Sequence, residues 1–252
     1  MATHQRQYIE EMTEASWARR GWGTWLRQGP GGCVVCGDWV LGACCSSCIQ
    51  RFAVPRRRCP TCALPLPPSA RIEVCPACQR QPPPWRSTSC AFDYTFPWDG
   101  LVQSFKFANQ PELAGLMSDA VVREVRRHGS PEDIEWVLPV PLSDLRLQQR
   151  GYDQAWELAR AIGRSLGIRS QARVLRRLVD TAPQSSLDRQ SRALNLKGAF
   201  GVDPSARASI AGKRLALVDD VMTTGASVRA AAHALLDAGA RSVDVWCVAR
   251  TP

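Results

Sequence analysis

The chain has 252 residues, a formal net charge of +9, 45% apolar and 22% charged residues, and eleven cysteines. That length fits one or two domains with a sizeable core, in the composition range of soluble globular proteins rather than fibrous or low-complexity ones. No apolar run is long enough to span a bilayer, and the N-terminus, with Glu10, Glu11 and Glu14, lacks the apolar stretch of a secretory signal. The expected setting is therefore cytoplasmic without membrane insertion, and the positive charge favours anionic partners, whether nucleic acid, phosphorylated small molecules or membrane surfaces.

In chain order, residues 1–28 read as a short amphipathic helical tail that Trp17, Trp22 and Trp25 would dock, with a frayed end an equally good reading. Residues 29–85 change character: Cys, Pro and Gly dominate, helical periodicity vanishes, and runs such as Pro65-Leu66-Pro67-Pro68 and Pro82-Pro83-Pro84 are loop material. A segment so poor in large apolar residues needs a staple to be ordered. From residue 89 to 252 strands and helices alternate. Strands are predicted at 89–94, 134–140, 214–218 and 243–249, and helices at 98–108, 111–127, 153–166 and 226–238, the last stopping at Gly239; residues 178–190 read as a loop. Such alternation predicts an α/β domain, a parallel sheet flanked by helices with right-handed crossovers.

All cysteines but Cys247 fall between Cys33 and Cys90. Four C-x-x-C pairs stand out: Cys33/Cys36, Cys45/Cys48, Cys59/Cys62 and Cys75/Cys78. Each pair can turn two thiolates toward one metal, and two pairs complete a tetrahedral four-thiolate site of the kind that holds structural zinc. One or two zinc ions are thus expected, each worth roughly 10–16 kcal/mol of apparent binding energy to a segment without a core. We pair the knuckles in sequence and prefer Cys45 over the adjacent Cys44, because Cys45-Ser46-Ser47-Cys48 keeps the two-residue spacing; spacing alone also allows interleaved pairing. A redox C-x-x-C needs a strand–helix context that is missing here. Ligand count alone also admits an iron–sulfur cluster, and we rank structural zinc ahead of it. Cys90 and Cys247 lie on predicted strands and read as buried apolar residues.

The run Leu215-Ala216-Leu217-Val218 is a buried strand followed by Asp219-Asp220 and then by Thr223, Thr224, Gly225, Ala226 and Ser227, which open a helix. In an open α/β sheet ligands bind beyond the carboxyl ends of the strands. A helix N-terminus points free N–H groups at an anion, and small residues let the backbone approach it. The loop is therefore a candidate monophosphate cradle, and the two carboxylates suit the vicinal hydroxyls of a ribose. A Walker B strand is the competing reading, but the chain contains no G-x-x-x-x-G-K-[ST] loop. A simply capped helix start would not require both carboxylates and five small residues.

LALVDDVMTTGAS resembles the 5-phosphoribosyl-diphosphate (PRPP) signature of type I phosphoribosyltransferases. Val140-Pro141-Leu142, Arg146 and Gln149-Arg150-Gly151-Tyr152-Asp153-Gln154-Ala155 resemble the P-V-P-L…R-G-[FY]-[ND]-Q stretch of the ComF/GntX family. Arg177, Thr181, Gln184, Leu187, Arg192, Asn195 and Ala199-Phe200 resemble that family's next run. The likeness extends from about residue 31 to the end of the sequence. It implies a double zinc ribbon ahead of a type I phosphoribosyltransferase-like sheet, a PRPP ligand with magnesium, and a role in natural competence or in the use of external DNA. It further implies that Asp219 and Asp220 hold ribose hydroxyls and that Thr223–Ser227 holds the 5-phosphate. Purine-salvage relatives carry an acidic residue between the paired acids and the glycine; Thr223 stands there instead, which argues against a nucleobase acceptor.

Arg146 and Arg150 sit where the pyrophosphate loop is expected, with Gly151 allowing close approach, and arginine can fork onto phosphate oxygens. Gln184 and Arg189 are candidate contacts from a covering loop over residues 178–190. Asp93 and Lys106, ahead of the sheet, could contribute to a hood, although exposed side chains are the preferred reading for both. Arg51, Arg56, Arg57, Arg58, Arg71 and Arg80, with Phe52 and Trp85, form a second candidate surface for single-stranded DNA. Two functions follow: a phosphoribosyltransferase of unspecified acceptor, or a zinc-dependent DNA-binding adaptor, in contact with competence proteins, that does no chemistry.

Overall fold

The computed structural model describes residues 30–69, 71–108, 110–179 and 198–252. The predicted tail over 1–28 lies outside them, as do Gln184 and Arg189 and the family-run residues Thr181, Leu187, Arg192 and Asn195.

The cysteine-rich segment opens with a hairpin of β1 (Pro30–Gly32) and β2 (Trp39–Leu41), followed by a short helix α1 (Ser46–Phe52). Its second half is an extended loop with one bridge, Arg58 to Pro65, and a one-turn helix α2 (Pro76–Arg80) that starts on a proline whose missing N–H costs nothing at that position. The eight cysteines gather into two groups, Cys33/Cys36/Cys45/Cys48 and Cys59/Cys62/Cys75/Cys78, with the sulfurs of each group all within 4.8 Å of one another. Sequential pairing is therefore the arrangement the chain adopts.

The sulfur geometry fits zinc. Zn–S bonds of about 2.3 Å in a tetrahedron set sulfurs about 3.8 Å apart, and Cys36 to Cys45 measures 3.7 Å and Cys62 to Cys75 3.6 Å. Backbone N–H groups also point at the sulfurs, from Cys45 to Cys33 Sγ at 3.3 Å and from Cys75 to Cys59 Sγ at 3.4 Å, as stabilises thiolate charge. Cys44 stays outside the first group, its thiol turned to the Cys45 carbonyl.

The rest of the chain is one parallel sheet with helices on both faces. In order come β3 (Thr88–Asp93), α3 (Trp98–Phe107), α4 (Leu113–His128), β4 (Trp136–Pro139), α5 (Asp144–Arg150), α6 (Gln154–Leu166) and β5 (Arg169–Ser170). They are followed by the antiparallel pair β6 (Leu175–Arg177) and β7 (Phe200–Val202), then α7 (Arg207–Ile210), β8 (Arg214–Met222), α8 (Ala226–Asp237) and β9 (Ser242–Arg250). The sheet order is β3-β9-β8-β4-β5, with every pairing parallel. The central β8 is apolar on both faces, as a doubly covered parallel strand must be. Leu215 and Leu217 face the core under α8, whereas Ala216 and Val218 face the core under α4 and α6.

Three elements differ from the sequence expectation. β8 does not stop at Val218: its ladder to β9 continues past Asp219, opposite Cys247, to Met222, opposite Arg250, so both carboxylates lie on the strand itself. The 134–140 strand shrinks to four residues. Between it and α6 an unforeseen helix, α5, forms. Ser143 caps it, accepting from the Arg146 N–H, and Gly151 closes it at φ 77°, a left-handed angle that glycine takes without cost.

The cysteine-rich segment is not a separate layer. Cys33, Cys44, Cys48 and Ile49 share a core with Val102, Phe105 and Val121 of α3 and α4, and the Trp98 indole donates to the Phe52 carbonyl at 2.9 Å. Cys59, Cys62, Leu66, Cys75 and Cys78 form a small cluster of their own. Cys90 and Cys247 are buried on neighbouring strands, as their sequence setting suggested. We expect purified protein to contain two zinc ions per chain by elemental analysis. Cys44→Ser should keep both, while Cys45→Ser and Cys62→Ser should each lose one and lower the thermal midpoint.

Candidate functional site

A cleft of about 230 Å³ opens at the carboxyl ends of β4 and β8, where a parallel sheet exposes the loops that lead into its helices. It brings together Asp219, Asp220, Thr223, Thr224, Gly225, Ala226, Ser227, Arg146 and Arg150, which the sequence placed on two stretches seventy residues apart. Lys106, Gln154, Arg177 and Tyr94 complete the polar lining. Gly151 is not among the lining residues; its visible role is to close α5.

The acidic wall is built from β8. Asp220 is buried, its Oδ1 paired with Lys106 Nζ at 2.9 Å and accepting from the Val221 N–H at 2.6 Å. Lys106 therefore belongs to the site: its side chain is 18% exposed rather than free in solvent, because α3 packs its last turn over the end of β8. Asp93 is also buried, contrary to the sequence reading. It lies outside the cleft and pairs with Arg56 at 3.0 Å and Arg58 at 2.7 Å, tying the cysteine-rich segment to β3. Asp219 accepts from the Asp220 N–H at 2.9 Å. Burial first, and then the neighbouring Asp220 charge, push its carboxyl up to about 7, against a smaller downward pull from Lys106.

The Thr223–Ser227 loop forms another part of the lining. Gly225 has φ 76° and precedes the first turn of α8, where no side chain caps the helix. Thr224 Oγ1 accepts from the Ala226 N–H at 3.3 Å, which tightens the turn. A β-carbon at Gly225 would stand 2.8 Å from the flexible end of Met222, at Cε, and 3.4 Å from the Trp85 ring, so the methionine methyl would have to shift, and it is the left-handed backbone angle that favours glycine.

The basic wall is α5. Arg150 donates to Gln154 Oε1 at 2.8 Å and lies over the exposed Phe107 ring at 5.0 Å. Gln154 is 1% exposed, and its Nε2 has no hydrogen-bond partner at normal geometry. The sequence reading passed over Gln154 as a site residue. Its place one residue after Asp153, which caps α6 by accepting from the Trp156 N–H, was the available signal, since the first turn of that helix must face the strand ends.

The raised Asp219 carboxyl has a consequence for stability. A folded value near 7, above the roughly 3.9 of an unfolded aspartate, means that the native state holds the extra proton between these limits. This group's contribution therefore falls as pH rises from about 4 to 7 and stays unfavourable above it. We expect Asp219→Asn to raise the urea midpoint at pH 8 and to change it little near pH 4. Gly225→Ala should cost about 1–3 kcal/mol in the same assay, mainly from the left-handed strain.

Residues 138–252 match the phosphoribosyl transferase domain family. The chain is 33% identical over 231 residues to DNA utilization protein YhgH of Escherichia coli O6:H1, across 88% of this chain and 98% of that protein. It is 35% identical over 180 residues to competence protein F of Haemophilus influenzae, across 70% of this chain and 78% of that one. Among solved structures, the allosteric regulatory enzyme of purine biosynthesis aligns with a TM-score of 0.39 at 19% identity, over 57% of this chain and 29% of the other. With one-third identity along nearly the whole of such a relative, two four-cysteine clusters and a phosphoribosyl transferase domain behind them, the chain belongs to the ComF/GntX family, that of DNA utilization protein YhgH and competence protein F.

Proposed function

We propose that this protein binds PRPP with its magnesium ion in the cleft at the end of β8 and transfers the phosphoribosyl group to an acceptor, in the service of DNA utilization as its relatives' names describe. One observation carries the reading: two adjacent carboxylates, a glycine-turned helix start and two arginines line a single cleft.

In this reading Asp219 and Asp220 hold the ribose hydroxyls, and the N–H groups of Thr223–Ser227 hold the 5-phosphate. Arg146 and Arg150 hold the diphosphate, with Gln184 and Arg189 as further candidates on sequence grounds alone. The bond from C1 to the diphosphate oxygen breaks as the acceptor's lone pair forms the new bond to C1. The leaving diphosphate takes the electron pair and is stabilised by the arginines. A magnesium ion arriving with the substrate would supply charge neutralisation on that leaving group. Such ions favour carboxylate and phosphate oxygens, and Asp219 and Asp220 are the carboxylates in the cleft that could help to hold one. Thr223 in place of an acidic residue supports an acceptor other than a free nucleobase.

The alternative surface for single-stranded DNA loses much of its support. Trp85 is 4% exposed with its indole N–H directed to the Thr61 carbonyl at 2.6 Å, so no base can stack on it. Arg58 is held by Asp93 beneath the surface. Arg51, Arg56, Arg57, Arg71 and Arg80 remain exposed, and of the two aromatic residues only Phe52, half-buried beneath Arg51, is left to stack a base.

Calorimetric titration with PRPP and magnesium should give saturable binding. Asp219→Ala/Asp220→Ala should weaken it by at least about tenfold per carboxylate, the worth of a hydrogen bond to a charged group, with zinc content unchanged. Undiminished binding by the double variant would move the ligand elsewhere, and no binding by the native protein would remove the reading.

A further inference from the structure

Arg250 closes β9, and its side chain is only 6% exposed. All of its hydrogen bonds run to backbone carbonyls. Nε donates to Cys62 at 3.0 Å, and Nη1 donates to Met222 at 3.0 Å, to Thr223 and to Thr251. Among the described residues no carboxylate pairs with it, since Asp93 is taken by Arg56 and Arg58, and Asp220 by Lys106. A buried cation partnered by carbonyl dipoles is costly to keep unless anions lie nearby; the four-thiolate cluster that includes Cys62 would supply negative charge on one side, and the Met222 and Thr223 carbonyls lie on another. The Thr223–Ser227 loop lies directly in front of it and contains no basic residue, and Arg250 is not among the residues that line the cleft.

We propose that Arg250 is the positioning residue and the hidden counter-charge of the phosphate loop. By drawing the Met222 and Thr223 carbonyls back onto its guanidinium, it turns two repulsive dipoles away from a bound phosphate monoester. It also places a full positive charge behind the N–H groups that face that phosphate. The inference rests on the reading of this loop as the phosphate site. The same guanidinium holds the carbonyl of Cys62, a member of the second sulfur cluster. Trp85 repeats the link: its indole donates to Thr61 between the two cysteines of that knuckle, and its ring packs against the place where a Gly225 β-carbon would be. The second sulfur cluster and the phosphate loop thus share two buried side chains, and what steadies one must steady the other.

The test uses the full zinc-bound chain with ribose 5-phosphate as probe. Calorimetry on the native protein, Arg250→Lys and Arg250→Gln, with zinc content measured for each, should show a loss of about tenfold or more for the glutamine variant. The lysine variant should recover most of that loss, because it restores charge without the fork. Equal affinity of native protein and Arg250→Gln would overturn the proposal. Arg250→Lys as weak as Arg250→Gln would overturn the counter-charge. Absence of ribose 5-phosphate binding by the native protein would remove the phosphate-site reading and this inference together. A second measurement needs no variant. Release of zinc from the native protein to a chelator should contain a phase that ribose 5-phosphate slows by at least about threefold, reflecting the reciprocity of coupled sites; identical release with and without the probe overturns the link.

Discussion

The ladder between β8 and β9 governs most of what this molecule presents to a ligand. It continues four residues beyond the apolar run of β8, carrying Asp219 and Asp220 within hydrogen-bonded sheet before the chain turns at Gly225. Carboxylates held on a strand cannot relax toward water as they would on a loop, so the surroundings must satisfy them. Lys106 and the Val221 N–H do so for Asp220, whereas Asp219 receives one backbone N–H and the repulsion of its neighbour. The same register brings Arg250 opposite Met222, so the strand pairing that positions the acids also positions the cation behind the loop.

The two sulfur clusters solve different packing problems. The first lends its cysteines and Ile49 to a helical core, where Phe92 and Trp98 stack in parallel at 3.6 Å and complete the layer. The second has almost no apolar mass beyond Leu66 and its own sulfurs, so its order depends on metal ligation and on buried polar contacts. Those contacts reach Trp85, Thr88 and Arg250 of the sheet edge and the β9 terminus, rather than a helix. Through Arg250 and Trp85 the order of this cluster is tied to the Thr223–Ser227 loop as well as to the sheet edge.

Much of this was legible in the sequence. The alternation of apolar strands with amphipathic helices from residue 89, and the C-x-x-C spacing, are local patterns, and the corresponding elements and cysteine groups form as those patterns dictate. What was missed depends on partners distant in the chain. The extension of β8 through two aspartates contradicts strand propensity and is imposed by β9. Lys106 and Asp93 looked like ordinary surface charges because their partners, Asp220 and the arginines at 56 and 58, lie far off in sequence. Trp85 looked exposed in a proline-rich loop, and its burial follows from the docking of the second knuckle against β3. Helix α5 was missed although both its ends were marked, by Ser143 and Gly151, because a seven-residue helix with no buried side chain leaves no apolar periodicity to read.

The charges around the cleft also narrow what it can accept. Lys106, Arg146, Arg150 and Arg177 face it, against only Asp219 and Asp220. One of those acids is neutralised by Lys106, and the other titrates near 7. The lining thus combines carboxylate acceptors with guanidinium and ammonium donors, a mixed polarity that a ligand bearing both hydroxyls and negative charge complements. An anionic group entering alone would hold the proton on Asp219 more tightly, whereas one arriving with a divalent cation would drive it off, because the sign of the net charge brought near the carboxyl decides which form is favoured.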